Sequence, residues 1–191
     1  MTLNLQAIYE QNKGNFDKAK SLNKQSIEKF KETLQLDSTH PGARSALGHS
    51  LYVDGQFKES ISWFDRANKL NGETAANLRE IGLCKINLGE IQAGKADIDK
   101  AFSIDTTKEI KVITIQDLTD IGELAFQYGD GYIQQGEADK GKEYKTFSIG
   151  VLILAFDYDK SRKDIALKIA DFADKIGDKK TATKYKTLGG Q

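Results

Sequence analysis

GHSLYVDGQFKES, residues 48–60, places a glycine at each end of a heptad and a small residue five positions past the second glycine. The stretch has relatives along the chain. Hexapeptides that open with glycine and end in a small residue recur as GNFDKA (14–19), GQFKES (55–60), GEIQAG (89–94), GEADKG (136–141) and GDKKTA (177–182). Seven residues before each leading glycine stands another small residue: Ala7, Gly48, Gly82, Gly129 and Ala170. Recurrence at this scale marks an array of supersecondary units.

Helix geometry accounts for each position. Gly14, Gly55, Gly89, Gly136 and Gly177 suit the residue just past a helix end, where φ is positive. Asn15, Gln56, Glu90, Glu137 and Asp178 follow as polar starts to a second helix. Seven residues back is about two turns on nearly the same face. A small residue there meets the small residue five past the glycine, namely Ala19, Ser60, Gly94, Gly141 or Ala182. The expectation is five antiparallel helical hairpins. Successive leading glycines are 41, 34, 47 and 41 residues apart. The unit is therefore 34, lengthened by seven twice and by thirteen once. The longest interval holds TKEIKVITIQDL (107–118), read as a turn plus an extended first helix for the fourth hairpin.

Composition agrees with an all-α chain and narrows its function. The 191 residues include one proline, Pro41, and 39% apolar side chains. That is enough to build a core. Twenty-eight basic and 28 acidic side chains give zero net charge, which argues against a nucleic-acid or anionic-membrane surface. The longest apolar run, VLILAF (151–156), is too short to span a bilayer. It is expected to pack on the fifth hairpin, with a homodimer patch as the alternative. No signal-peptide pattern precedes Thr2. A cytoplasmic location is the favoured expectation, and a periplasmic or secreted one follows if a signal segment was trimmed.

No catalytic or metal constellation stands out. Cys84 is the sole cysteine, so no internal disulfide forms, and it reads as a packed thiol. His40 and His49 are the only histidines and have no HExxH or CxxC companion. DYDKSRKD (157–164) begins like a calcium loop, but Arg162 and Lys168 stand where glycine and glutamate are needed, so it reads as a polar turn. The chain is therefore expected to be no enzyme and to need no cofactor or metal.

Residues 41–72 carry a resemblance to the tetratricopeptide repeat family. Leu47 and Gly48 match its Leu-Gly pair, and Gly55, Ser60, Phe64 and Ala67 match its turn glycine, small, aromatic and small positions. The next unit offers Ile81, Gly82, Gly89, Gly94, Ile98 and Ala101. Departures are Gly94 for the usual alanine and Arg44 and Leu78 for the usual tryptophan. The resemblance implies a right-handed α-solenoid of about five hairpins, the last two irregular. Hairpins 1–3 fall in 1–106 and extended, divergent hairpins 4–5 in 107–191, with a hinge near 106–113. It also implies a concave groove lined by the first helix of each hairpin, through Ser45, His49, Tyr52 and Val53, then Arg79, Leu83, Ile86 and Asn87, then Glu123, Phe126, Asp130, Ile133 and Gln134. The implied function is a non-catalytic protein–protein interaction scaffold holding a peptide or helix in that groove. The alternatives are a structural subunit self-associating through its C-terminal hairpins, and a small-ligand sensor holding an anion at Tyr52, Arg79 and Asn87. The acidic-tail chaperone clamp of some members uses lysine and asparagine where this chain has Ser45, His49, Arg79 and Leu83, so that partner is not expected.

Overall fold

The computed structural model describes residues 3–40 and 42–190; Pro41, expected at a helix start, lies outside them. Among the described residues ten helices pair in chain order: α1 (Leu3–Asn12) with α2 (Phe16–Leu36), α3 (Ala43–Val53) with α4 (Phe57–Asn71), α5 (Ala75–Asn87) with α6 (Ile91–Ile104), α7 (Lys108–Gln134) with α8 (Ala138–Tyr158), and α9 (Lys163–Lys175) with α10 (Lys179–Gly189). The fold is all-α. The chain forms two compact units, residues 1–104 and 105–191.

One backbone device closes every hairpin. At the second turn Gly55 takes φ 78°. The N–H of Gln56 donates to Leu51 O at 2.9 Å, and the carbonyl of Gln56 accepts from the Ser60 N–H at 2.9 Å. A single residue thus closes one helix and opens the next. The same closing bond joins Asn15 to Glu10, Glu90 to Lys85, Glu137 to Tyr132 and Asp178 to Ala173, each at 2.9 Å. The polar side chains at these positions contribute less than expected. Asp178 caps the Thr181 N–H at 3.0 Å, whereas Asn15, Gln56 and Glu137 make no side-chain cap. The carbonyl at each position is what the turn uses.

Between the two helices of a hairpin the small residues meet. A Cβ built on Gly82 would lie 2.6 Å from Gly94 O, and one on Gly94 2.5 Å from Gly82 O. Gly129 and Gly141 stand in the same relation at 2.8 and 2.7 Å. At the second hairpin Ser60 replaces glycine and its Oγ donates to Gly48 O at 2.7 Å. Ala7, Ala19, Ala170 and Ala182 are all buried. The longer fourth hairpin repeats the crossing one heptad on: Ser148 Oγ donates to Gly122 O at 2.6 Å.

In the first unit α2 packs on α3, α4 on α5, and α3 also touches α5. Ile27, Leu47 and Leu51 form a buried cluster onto which Phe30, Leu34 and Trp63 pack. Phe64 and Ala67 are buried in α4, and Ile98 and Ala101 in α6. A polar thread crosses this core. Cys84 Sγ donates to Ser60 Oγ at 3.4 Å, and Asn23 Nδ2 donates to Ser50 O at 2.9 Å.

In the second unit the extra length lies in the helices. α7 has 27 residues against 13 in α5, and α8 has 21. TKEIKVITIQDL is helical from Lys108 onward despite its β-branched run. Thr114 and Thr119 turn their hydroxyls back to the carbonyls of Ile110 and Ile115, at 2.6 and 2.7 Å, so both stay satisfied while buried. VLILAF packs inside the unit. Val151, Leu152, Leu154, Ala155 and Phe156 are buried, and Phe156 meets the Tyr185 ring edge-on at 5.6 Å. Within the segment Phe156 reaches α10 of the fifth hairpin, while Leu152 lies against Gly122 of α7. Among the described residues no helix is long and apolar enough to cross a membrane.

Candidate functional site

The first helices α3 and α5 of neighbouring hairpins bring a polar and aromatic cluster together. On α3, Ser45, His49 and Tyr52 recur at spacings of four and three, which is one face of a helix. On α5, Arg79 and Glu80 stand opposite. His49 Nδ1 lies 2.9 Å from both carboxylate oxygens of Glu80. This bond is the main reason the imidazole holds its proton above the ordinary histidine value, against an opposing effect of burial. The Tyr52 ring sits 6.5 Å from His49 and 5.9 Å from Phe57. Burial pulls the Arg79 guanidinium below its usual value, and the charges of Glu80 and Tyr52 oppose that pull. Four side chains with titratable groups therefore share one half-buried patch, and the His49–Glu80 bond joins two hairpins across it.

Other expected groove residues fall elsewhere. Leu83 and Ile86 are fully buried, so they build the core beneath the patch and offer nothing to a partner. Asn87 Nδ2 turns back to Leu83 O in its own helix at 2.9 Å. Phe126 on α7 is buried too. Its ring stacks on Phe172 of α9 at 3.8 Å, and Lys145 Nζ covers it at 4.7 Å. Lys145 also pairs with Asp130 at 2.5 Å, and Lys168 pairs with Glu123. In the second unit the matching face is thus filled by its own side chains, with Asp130 and Ile133 left exposed at its edge. Glu80 is the residue that sequence reasoning missed. It lies off the family's groove positions, and only the register of α3 against α5 gives it to His49.

Other candidate chemistry is quiet. Cys84 is buried, and burial pushes its thiol up to about 12. Asp159 Oδ1 accepts from both the N–H and Oγ of Ser161, which makes DYDKSRKD a capped turn between α8 and α9. Among the described residues no group of three His, Cys, Asp or Glu side chains is placed to hold a metal ion.

Helix pairs, glycine-closed turns and small-residue crossings recur in each hairpin, at intervals of 34 to 47 residues. These are antiparallel helical hairpins of one repeating type. No family model matches the chain. Over 64 residues it is 34% identical to sperm-associated antigen 1 of Rattus norvegicus, a match covering 34% of this chain and 7% of that protein. A crystal structure of MamA is 18% identical, covering 96% of this chain and 91% of that one at TM-score 0.48. An RS-1 ArsTM double mutant of MamA is 14% identical, covering 98% and 90% at TM-score 0.49. A human IFIT1 dimer with PPP-AAAA is 17% identical, covering 92% of this chain and 47% of that one at TM-score 0.39.

Proposed function

We propose that the protein is a non-catalytic scaffold that holds a partner peptide or helix against the α3/α5 face of its first unit. The observation that carries this reading is the His49–Glu80 bond with Tyr52 and Arg79 beside it. Tyrosine and arginine are the side-chain types that dominate binding energy at protein interfaces. Here they are held in place before a partner arrives, so less rotamer freedom is lost on binding. His49 and Glu80 supply one donor-rich and one acceptor-rich group for the backbone or polar side chains of the partner. Ser45 continues the face toward the start of α3.

The test is a comparative capture from the native source. The wild-type chain and a Tyr52→Ala/Arg79→Glu variant serve as baits, with retention of helical signal checked first. A protein held by the wild type and lost by the folded variant places binding on this face. Identical captures by both baits would overturn the proposal.

A further inference from the structure

A second cleft lies in the first unit and shares no residue with the α3/α5 patch. It has a volume of about 470 Å³ and sits among the end of α2, the start of α3 and the outer side of α4. Its walls come from two kinds of side chain. Leu34, Leu70 and Trp63 supply apolar surface, and Leu34 and Trp63 are anchored on the buried cluster of Ile27, Leu47 and Leu51. Arg44, Arg66 and Lys69 supply three cations, and no carboxylate lines the space.

Among the described residues none of the three cations is held in an ion pair, although the charge of Arg44 reaches Asp37 and is among the lesser causes that hold its carboxyl below the usual value. Arg44 gives its Nη2 to the Ser38 carbonyl, while its Nη1 is buried with no hydrogen-bond partner. That nitrogen is closed off from the cleft, so Arg44 acts on the space through its charge. The exposed Arg66 lies over the Trp63 ring at 4.6 Å, a cation–π contact that holds its charge at the cleft. The acid beside the cleft in sequence, Asp37, is already engaged: its Oδ1 accepts from the N–H and hydroxyl of Thr39 at 2.9 and 2.7 Å.

We infer that this cleft binds a carboxylate carried on an apolar body. The planar guanidinium fork matches a carboxylate, and a single charge is desolvated against leucine and tryptophan at less cost than a phosphate dianion. The carboxylate meets the exposed Arg66 and Lys69, with the charge of Arg44 beside them, while the attached apolar group lies on Trp63, Leu34 and Leu70. Two sources share that chemistry, a free organic acid and an acidic residue flanked by apolar ones in a peptide.

Trp63 is the only tryptophan in the chain, so its fluorescence reports on the cleft directly. The probes are hexanoate, the peptide acetyl-Leu-Glu-Leu-Glu-Leu-amide, the same peptide with glutamine for glutamate, and inorganic phosphate. The expected result is a saturable change with a carboxylate probe and none with the glutamine peptide. Arg66→Gln should weaken the midpoint roughly tenfold, the loss of one charge-assisted hydrogen bond, and Arg44→Gln should weaken it through the lost charge. Hexanoate binding as tightly as the acidic peptide assigns the site to free acids, and tighter peptide binding assigns it to a peptide. If Arg44→Gln loses helical signal, Arg66→Gln and Lys69→Gln, both at exposed positions, carry the test. No saturable change with either carboxylate, an equal response to the glutamine peptide, tighter binding of phosphate, or unchanged midpoints in the folded variants would each overturn the inference.

Discussion

Replacing Gly94 with alanine restores the residue usual in tetratricopeptide repeats, and the geometry says it will harm this protein. The new Cβ would stand 2.5 Å from Gly82 O and 2.6 Å from Ile86 Cγ1. Ordinary Cβ contacts begin near 3.4 Å. The obstacle is backbone, so α5 and α6 must part by close to an ångström. A gap of that order forfeits roughly a quarter to a half of the dispersion energy of the contacts it opens. Ile86 and Ile98, both fully buried, lie beside that seam. Overpacking of this kind costs about 1–3 kcal/mol, and the better helix propensity of alanine returns about 1 kcal/mol. A net loss of up to about 2 kcal/mol is expected. Gly131→Ala is the control, because it is helical and a Cβ there meets nothing within 4 Å. It should gain about 0.5–1 kcal/mol. Urea titrations followed by Trp63 emission, which reports on the first unit, and by far-UV circular dichroism measure both. A Gly94→Ala midpoint that moves upward, as Gly131→Ala should, would refute the close-approach argument.

The remaining predictions address single groups. His49 has a folded-state pKa above its unfolded value, so its contribution is fully present below the unfolded pKa near 6.5 and fades as pH rises through the raised one. Melting temperatures of the wild type should therefore fall between pH 6 and 8 relative to those of Glu80→Gln; parallel curves would contradict the bond. Cys84, with its thiol near 12, should react with no Ellman's reagent at pH 8 while folded and with one equivalent in denaturant. Phe126→Ala should cost about 3 kcal/mol or more in the second unit, as a buried aromatic does. An unchanged denaturation midpoint would return Phe126 to the surface. Gly55→Ala forces a Cβ into φ 78° and should lower stability by about 1–2 kcal/mol, read from the same titration.

The hairpins were legible because their constraints are local. A close crossing at Gly82 and Gly94 excludes every side chain, and a turn at Gly55 demands positive φ, so composition alone carries both signals. Which face of a first helix stays open is not local. Leu83, Ile86 and Phe126 occupy positions that a groove rule assigns to the open side, yet neighbouring elements cover them. In the case of Phe126 the cover is Phe172, 46 positions along the chain, together with the stem of Lys145. The same reason hid Glu80, whose partner His49 is 31 residues away. Trp63 gave no sign in sequence of its part in a cationic cleft, because Arg44 and Leu34 reach it from two other helices.

The fourth hairpin grows from its open end in whole heptads, with Gly129 facing Gly141 and then Gly122 facing Ser148. Seven residues fall only about 20° short of whole helical turns, so each added heptad carries the small-residue seam onward. This sets a rule for length variation. Seven residues gained on each helix preserve the crossing, whereas two or three gained on one helix rotate a bulky side chain into a seam too narrow for a methyl group. The glycine turn is the fixed end of a molecular ruler graduated in sevens, and viable insertions and deletions in this chain should be counted from it.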